Sequence, residues 1–420
     1  MSHDAGDGPH AGRFTLRTRH LLPIAGPPLA GGWVRIERGR IAAVGQGRPA
    51  GPAVDLGDAI ILPGLVNAHT HLEFSDLAGP LSADGGLPAW IGRIVALRRA
   101  QPTGPAGEVR LGAAVAAGLA ESAAAGVTSI GEIATSTPPV PTAAGPRLRF
   151  YREALGLTAA AMAAAEAAVV RDLDHLERRS AWGGVSPHAP YSVGTALARL
   201  AVRAAVCRRL PVATHLAESR EEMELLSTGQ GAFRRLLDDL GAWQPTSPPR
   251  LLALADWITL LARAHRAAVI HATFLPEDTQ AMARLTRHRD RICVVVCPRT
   301  ARFLSDRLPP VAALRAAGVR VALGTDSRAT APDLSLLAEC RALVDGGLAS
   351  PTDALAMATR EAAWAIGFER HAGVIAPGRP ADLAIVHPAH APGDPSDAAL
   401  DPSARVVATL RGGRLIHGGL

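Results

Sequence analysis

At 420 residues, 48% of them hydrophobic and 20% charged, the chain exceeds one average domain yet suits a barrel enzyme that carries a small appendage. Its longest apolar runs, residues 115–120 and 159–170, are alanine-rich and fall short of the roughly 20 residues a membrane span needs, which argues against a membrane role. The formal charge of +6 arises from 44 basic residues, every one of them Arg, and these are scattered without forming a run, so nucleic acid is not an expected partner.

The first dozen residues are polar and contain no apolar stretch of a secretory signal, so residues 1–12 are expected to be disordered and the protein cytoplasmic. Residues 13–61 read as short alternating strands divided by Gly turns, as in Gly32-Trp33-Val34-Arg35-Ile36-Glu37-Arg38-Gly39-Arg40-Ile41, and residues 374–420 have the same character. The two termini are expected to pair into one small β-sandwich domain. Between them, over residues 62–373, short apolar or β-branched runs alternate with Ala/Leu/Arg-rich helical patterns. Eight candidate strands stand at 64–69, 126–132, 148–157, 183–188, 211–215, 268–271, 292–297 and 319–326, the number of a TIM-like (β/α)8 barrel in the α/β class. The Ala-rich segment 159–176 reads as an outer helix, and such exposed helices would allow a homodimer. Cys207, Cys293, Cys297 and Cys340 form no CxxC pair and suit reduced thiols packed as small hydrophobes.

Polar residues close several of these strands, at the rim where barrel enzymes keep their chemistry. His69 and His71 end the first strand, and residues two apart on a strand share a face, so two imidazoles converge. His215 ends the fifth strand, His271 the sixth and Asp326 the eighth. In a closed barrel these ends face one another, and three imidazoles with a carboxylate can hold one divalent ion while leaving a position for water.

Taken together, Leu62-Pro63-Gly64-Leu65-Val66-Asn67-Ala68-His69-Thr70-His71, His215-Leu216-Ala217-Glu218, Ile270-His271, Gly324-Thr325-Asp326 and Gly373-Val374-Ile375-Ala376-Pro377-Gly378-Arg379-Pro380-Ala381-Asp382-Leu383 resemble the amidohydrolase superfamily from about residue 32 onward. Binuclear members commonly depend on a carboxylated Lys, and this chain has no Lys. It is similar instead to the mononuclear branch, which implies that His69, His71, His215 and Asp326 ligate one zinc or iron, with His271 beside the metal water. The His-x-x-Glu spacing implies that Glu218 is the proton shuttle. A metal-activated hydroxide would then attack a ring or amidine carbon, Asp326 and His271 would take up the water proton, and Glu218 would protonate the ring nitrogen as ammonia leaves.

Ser186-Pro187-His188-Ala189-Pro190-Tyr191-Ser192 resembles the methylthioadenosine and adenosylhomocysteine deaminases, which implies a substrate contact for His188. Together with the segment 69–75 it most resembles the aminodeoxyfutalosine deaminases, which implies an adenosine-like substrate such as aminodeoxyfutalosine. Glu73 is a candidate for a ribose hydroxyl, and Arg299, in Cys297-Pro298-Arg299-Thr300, for a substrate carboxylate or else for a nearby acid such as Asp306. Trp90 and Trp243 are candidates for stacking or plain packing. The motif His71-Leu72-Glu73 also fits half of the cytidine-deaminase signature, but the required Pro-Cys-x-x-Cys is missing. The expected substrate is therefore a small heterocycle, foremost an adenosine-like nucleoside. The alternatives are a triazine, guanine or cyclic amide, or a barrel that binds without catalysis.

Overall fold

The computed structural model describes residues 12–136, 145–244, 246, 248–390 and 393–420. Of the first dozen residues all but Gly12 lie outside it, and with them the expectation of disorder there. Among the described residues no helix is long and apolar enough to cross a membrane.

Eight parallel strands follow one another in chain order around the central sheet: β1 (Leu65–Thr70), β2 (Val127–Ala134), β3 (Arg147–Ala154), β4 (Trp182–Pro187), β5 (Val212–Leu216), β6 (Ala267–His271), β7 (Ile292–Val296) and β8 (Arg320–Leu323). Every expected strand is present. The largest differences fall at the ends of β3 and β8, expected to reach 157 and 326 but ending at 154 and 323, because the chain there turns away to form the rim. Helices cover the outside, so the strands are buried on both faces and read as continuous apolar runs. In β7, Cys293 and Val295 pack inside the barrel while Ile292, Val294 and Val296 pack outward. The helix Ala159–Arg178 begins where Thr158 Oγ1 accepts the Ala161 N–H at 3.2 Å, and it buries Val169, Leu173 and Leu176 along one stripe.

The barrel closes through a short seam between β8 and β1. His69 O accepts the N–H groups of Thr325 and Asp326, both at 3.1 Å, and the His71 N–H donates to Asp326 O at 3.0 Å. Asn67, fully buried, spans the seam with its amide: Nδ2 donates to Thr325 Oγ1 at 2.7 Å and Oδ1 accepts the Thr325 N–H at 3.1 Å. Gly324 allows the approach, since a Cβ there would lie 2.8 Å from both Cβ and O of His69. The amino-terminal end is plugged by Ala362–Ala365 with Ile366 and Phe368, which pack on Val66, Tyr151, Ile270 and Val295. Arg149, at the foot of β3, donates to the carbonyls of Ile366 and Gly183. The interior is therefore open only from the carboxyl-terminal rim.

The termini build two further sheets. One has four strands, in the order Arg40–Gln46, Gly32–Glu37, Arg13–Arg17, Val54–Asp55; the other has six, in the order Arg414–Gly418, Arg405–Arg411, Leu383–His387, Ile60–Pro63, His20–Leu21, Leu29–Ala30. Leu16, Val34 and Ile36 of the first meet Leu21, Ile61 and Leu383 of the second in one apolar cluster. The six-stranded sheet also faces the barrel: Ile60 and Leu62 belong to the barrel core, whereas Ile61 belongs to the terminal one. Alternation along a strand buried on both faces accounts for the unbroken run Ile60-Ile61-Leu62.

Replacing Gly324 with Ala places a methyl group into the seam. The expected result is a loss of about 1–3 kcal/mol of stability, checked as a lowered denaturation midpoint; an unchanged midpoint would show that the seam has slack.

Candidate active site and metal centre

The carboxyl-terminal rim brings His69, His71, His215, His271 and Asp326 to one point. The rings of His69 and His71 lie 5.0 Å apart, those of His69 and His215 4.9 Å, and those of His215 and His271 5.4 Å. His71 Nε2 is 3.4 Å from His215 Nε2, and Asp326 Oδ1 is 3.6 Å from His69 Nε2 and 3.9 Å from His71 Nε2. Donor atoms of His69, His215 and His271 lie within 4.8 Å of one another, as do those of His69, His71 and Asp326.

Strand alternation explains some of these positions and fails for others. Ala213 faces the interior of β5, so His215 does too. On β6, however, Ala268 and Ile270 face inward and Val269 outward, which would send His271 out among the helices. Left-handed backbone at His271 (φ 68°) and Ala272 (φ 54°) re-aims the imidazole inward. Asp326 (φ 57°) and Ala217 (φ 54°), each at a strand-to-loop junction, share that conformation, which non-glycine residues adopt at a cost of roughly 1–2 kcal/mol. On β1 the pairing with β2 slips between Asn67 and Thr70, and such a bulge re-aims the side chains beside it.

The donors are prepared for a metal. Burial pulls the His69 imidazole down to about 3, and burial together with neighbouring imidazoles pulls His71 and His215 well below their ordinary value, so all three present the neutral form that a ligand requires. Neither ring nitrogen of His69, nor Nδ1 of His71, has a hydrogen-bond partner although all are buried, an arrangement that is costly unless something coordinates them. His215 Nδ1 is 3.1 Å from His188 O; donation there leaves Nε2 for an ion. Asp326 Oδ2 accepts from Thr330 Oγ1 at 3.2 Å, and Thr300 Oγ1 donates to that hydroxyl at 2.9 Å. Four imidazoles and a carboxylate form a donor set for a divalent ion.

Glu218 reaches this centre from the loop after β5, with Oε1 3.4 Å from His271 Nε2. Burial, reinforced by the charges of Asp326 and Glu222, pushes its carboxyl well above the usual carboxylate range, as a proton donor near neutral pH requires. Glu222 holds the loop. Its two oxygens accept the N–H groups of Ala217 and Glu218, each at 2.9 Å, while Ser219 Oγ accepts the Glu222 N–H at 3.2 Å. Glu222 is thus a positioning residue absent from the expected site, although Ser219-Arg220-Glu221-Glu222 carries the capping-box spacing that signals it.

A cavity of about 410 Å³ opens over the centre, and Glu218, His271 and Asp326 line it. His188 lines it as expected, its ring held by Ser192 Oγ at 2.6 Å from Nδ1. Trp90 lines it too, with Nε1 donating to Ala329 O at 3.3 Å, whereas Trp243 lies under the Arg234 guanidinium at 4.5 Å and away from the wall. Two expected substrate contacts face elsewhere. After His71 the chain turns through the short helix Leu72–Phe74, which directs Glu73 away from the cavity to Arg98, 2.7 Å from Oε1. Arg299 is spent on structure: Nε donates to Glu339 Oε1 at 2.6 Å and Nη1 to Asp333 Oδ1 at 2.8 Å, so its partners are these acids and not Asp306. Sequence reasoning also passed over Glu153 and Arg98, which do line the cavity; β3 alternation placed Glu153 inward with Tyr151, and that signal was available.

The amidohydrolase family model matches residues 60–416, and the chain belongs to the amidohydrolase family. It is 28% identical over 394 residues to the 5-methylthioadenosine/S-adenosylhomocysteine deaminase of Moorella thermoacetica, covering 89% of this chain and 86% of that protein. With the deaminase of that name from Halobacterium salinarum it shares 31% over 369 residues, 83% of this chain and 78% of the relative. The fold superposes on Helicobacter pylori aminofutalosine deaminase in complex with methylthio-coformycin at a TM-score of 0.80 and 22% identity, over 96% of this chain and 99% of that one. An atrazine chlorohydrolase variant from Arthrobacter aurescens, complexed with zinc and atraton, gives 0.75 at 18% identity, over 96% and 95%. The protein is a metal-dependent hydrolase that acts on carbon–nitrogen bonds other than peptide bonds.

Substituting Thr330 with Val frees one oxygen of Asp326 and is expected to weaken metal affinity about 10- to 100-fold, whereas His69→Ala should leave the purified protein essentially metal-free. Elemental analysis against a chelator series reads both, and full metal retention in His69→Ala would contradict the assignment.

Proposed function

We propose that this enzyme hydrolyses the 6-amino group from an adenosine-type nucleoside, using one zinc ion held by His69, His71, His215 and Asp326. The observation that carries this reading is the placement of Glu218, His271 and Asp326 together on the wall of a cavity large enough for a nucleoside; relatives named as nucleoside deaminases support it. When bound, the ion lowers the pKa of a water toward neutrality and so supplies the nucleophile. Asp326 and His271 accept the proton that this water gives up. Glu218, protonated because it is buried among like charges, donates to the ring nitrogen beside the reacting carbon. The proton taken up from the water would then pass to the departing amine, which leaves as ammonia, while the proton lost from the new hydroxyl as the carbonyl forms would restore Glu218.

Much of the cavity wall is aliphatic, with Ile91, Ile94, Leu157, Leu236 and Leu240 among its lining residues. Arg98 is also on that wall, but its guanidinium is bound to Glu73. Such a surface suits an apolar 5′ group such as methylthio over the zwitterionic tail of adenosylhomocysteine or the benzoate of aminodeoxyfutalosine, because an unpaired charge is costly to desolvate. Methylthioadenosine is the substrate this favours.

Incubation of the zinc-loaded protein with methylthioadenosine, aminodeoxyfutalosine, adenosylhomocysteine and adenosine, followed by ammonia release and the adenine-to-hypoxanthine absorbance change, should give the highest kcat/KM, about 10⁴ M⁻¹s⁻¹ or more, for methylthioadenosine. Silence on all four with metal present would move the substrate to another heterocycle. In Glu218→Gln, kcat should fall about 10²- to 10⁴-fold with metal content unchanged; near-normal kcat would remove Glu218 from the mechanism.

A further inference from the structure

Glu153 lies near the end of β3, turned inward like Tyr151 two residues before it. Its side chain is 1% exposed, it lines the cavity, and neither carboxylate oxygen has a hydrogen-bond partner among the described residues. Two basic groups face it, both beyond hydrogen-bond reach. Arg98 Nη2 is 4.0 Å from Oε2 and is already bonded to Glu73 at 2.7 Å; His188 Nε2 is 3.8 Å from Oε1.

The protonation of His188 follows from its other neighbour. Ser192 Oγ donates to Ala189 O at 3.2 Å, so at 2.6 Å it accepts from His188 Nδ1. A neutral imidazole with its proton on Nδ1 has an acceptor at Nε2. His188 Nε2 and the Glu153 carboxyl therefore confront each other across 3.8 Å, beyond hydrogen-bond reach, and both Glu153 oxygens remain unpaired among the described residues in a buried site where unmade hydrogen bonds are costly. The place is next to the reaction centre, since donor atoms of Glu153, His188 and His215 lie within 4.8 Å of one another.

We propose, building on the nucleoside reading above, that Glu153 is a specificity-determining residue that accepts hydrogen bonds from the vicinal hydroxyls of the substrate's sugar, with His188 Nε2 accepting beside it. Two adjacent O–H donors match two carboxylate oxygens, and a ribose supplies them a short distance from the base being hydrolysed. A 2′- or 3′-deoxy sugar leaves one buried acceptor unpaired, and sites built to bind a hydroxyl reject analogues that lack it strongly. Glu73, bound to Arg98 behind the cavity wall, has no part in this contact. It keeps Arg98 from closing onto Glu153.

The test compares the best adenosine-type substrate with its 2′- and 3′-deoxy analogues in the zinc-loaded wild type, Glu153→Gln and Glu153→Ala. Wild type should prefer the ribonucleoside about 10²-fold or more in kcat/KM, mainly through KM, and Glu153→Ala should reduce that preference to within about threefold, with KM for the ribonucleoside rising most. Metal content and the denaturation midpoint report on folding. Should Glu153→Ala not fold, the isosteric Glu153→Gln carries the comparison, with the preference falling to about 10-fold. Calorimetric binding of the inosine-type product and its deoxy form to metal-depleted protein should show the same loss of discrimination. An unchanged ribo-to-deoxy ratio in the variants, or no preference in the wild type, overturns the role of Glu153 and leaves the deaminase reading standing. A wild type that turns over no nucleoside overturns both.

Discussion

Everything at the centre depends on how the barrel closes. β1 and β8 share no long ladder; they meet through the His69 carbonyl, the backbone of Thr325 and Asp326, and the buried amide of Asn67. The same two segments carry the candidate metal donors His69, His71 and Asp326, so the hydrogen bonds that close the sheet also set the spacing of these side chains. Backbone is stiffer than side chain, and a site built on it needs little rearrangement when an ion binds. Gly324 is the local condition for that approach, because a side chain there would collide with His69.

A functional rim of this kind stores unfavourable energy. Ala217, His271, Ala272 and Asp326 hold left-handed backbone, and Glu218, Glu222, Glu153 and Glu132 are carboxyls buried nearly completely. The barrel can sustain this because its floor and outer layer are densely apolar, and because several of the strained elements are braced. Glu222 clamps the loop that bears Glu218, Glu132 accepts the Leu72 N–H with both oxygens at 3.0 Å, and Thr330 steadies Asp326. Glu153 has no such brace, which marks it as a group that waits for a ligand.

The cavity combines two kinds of surface. Imidazoles and carboxyls line it at the reaction centre, aliphatic side chains such as Ile91, Leu157 and Leu236 line other parts, and there is no uncommitted cation among the described lining residues. The reaction centre and Glu153 stand at strand ends, while helices and loops supply the aliphatic wall. Triazine hydrolases and nucleoside deaminases resemble this chain in three dimensions to a similar degree, in keeping with a common barrel whose rim residues differ in use.

The alternation of apolar strands and Ala-rich helices, the eight-fold count, the pairing of the two termini and the strand-end positions of His69, His71, His215 and Asp326 were all legible in the chain, because each is written in local periodicity and spacing. The inward aim of His271 was not, since alternation points it outward and only the left-handed turn after Ile270 reverses it. Glu73 and Arg299 were misplaced for a related reason: the acid that binds Arg299 lies 40 residues on, Arg98 lies 25 residues beyond Glu73, and which charges meet is decided by packing. Sequence alone thus determined the elements and the residue types at their ends, through interactions that act over a few residues. Tertiary structure decided which of those side chains share a cavity, because contacts between distant segments exist only once the barrel has closed.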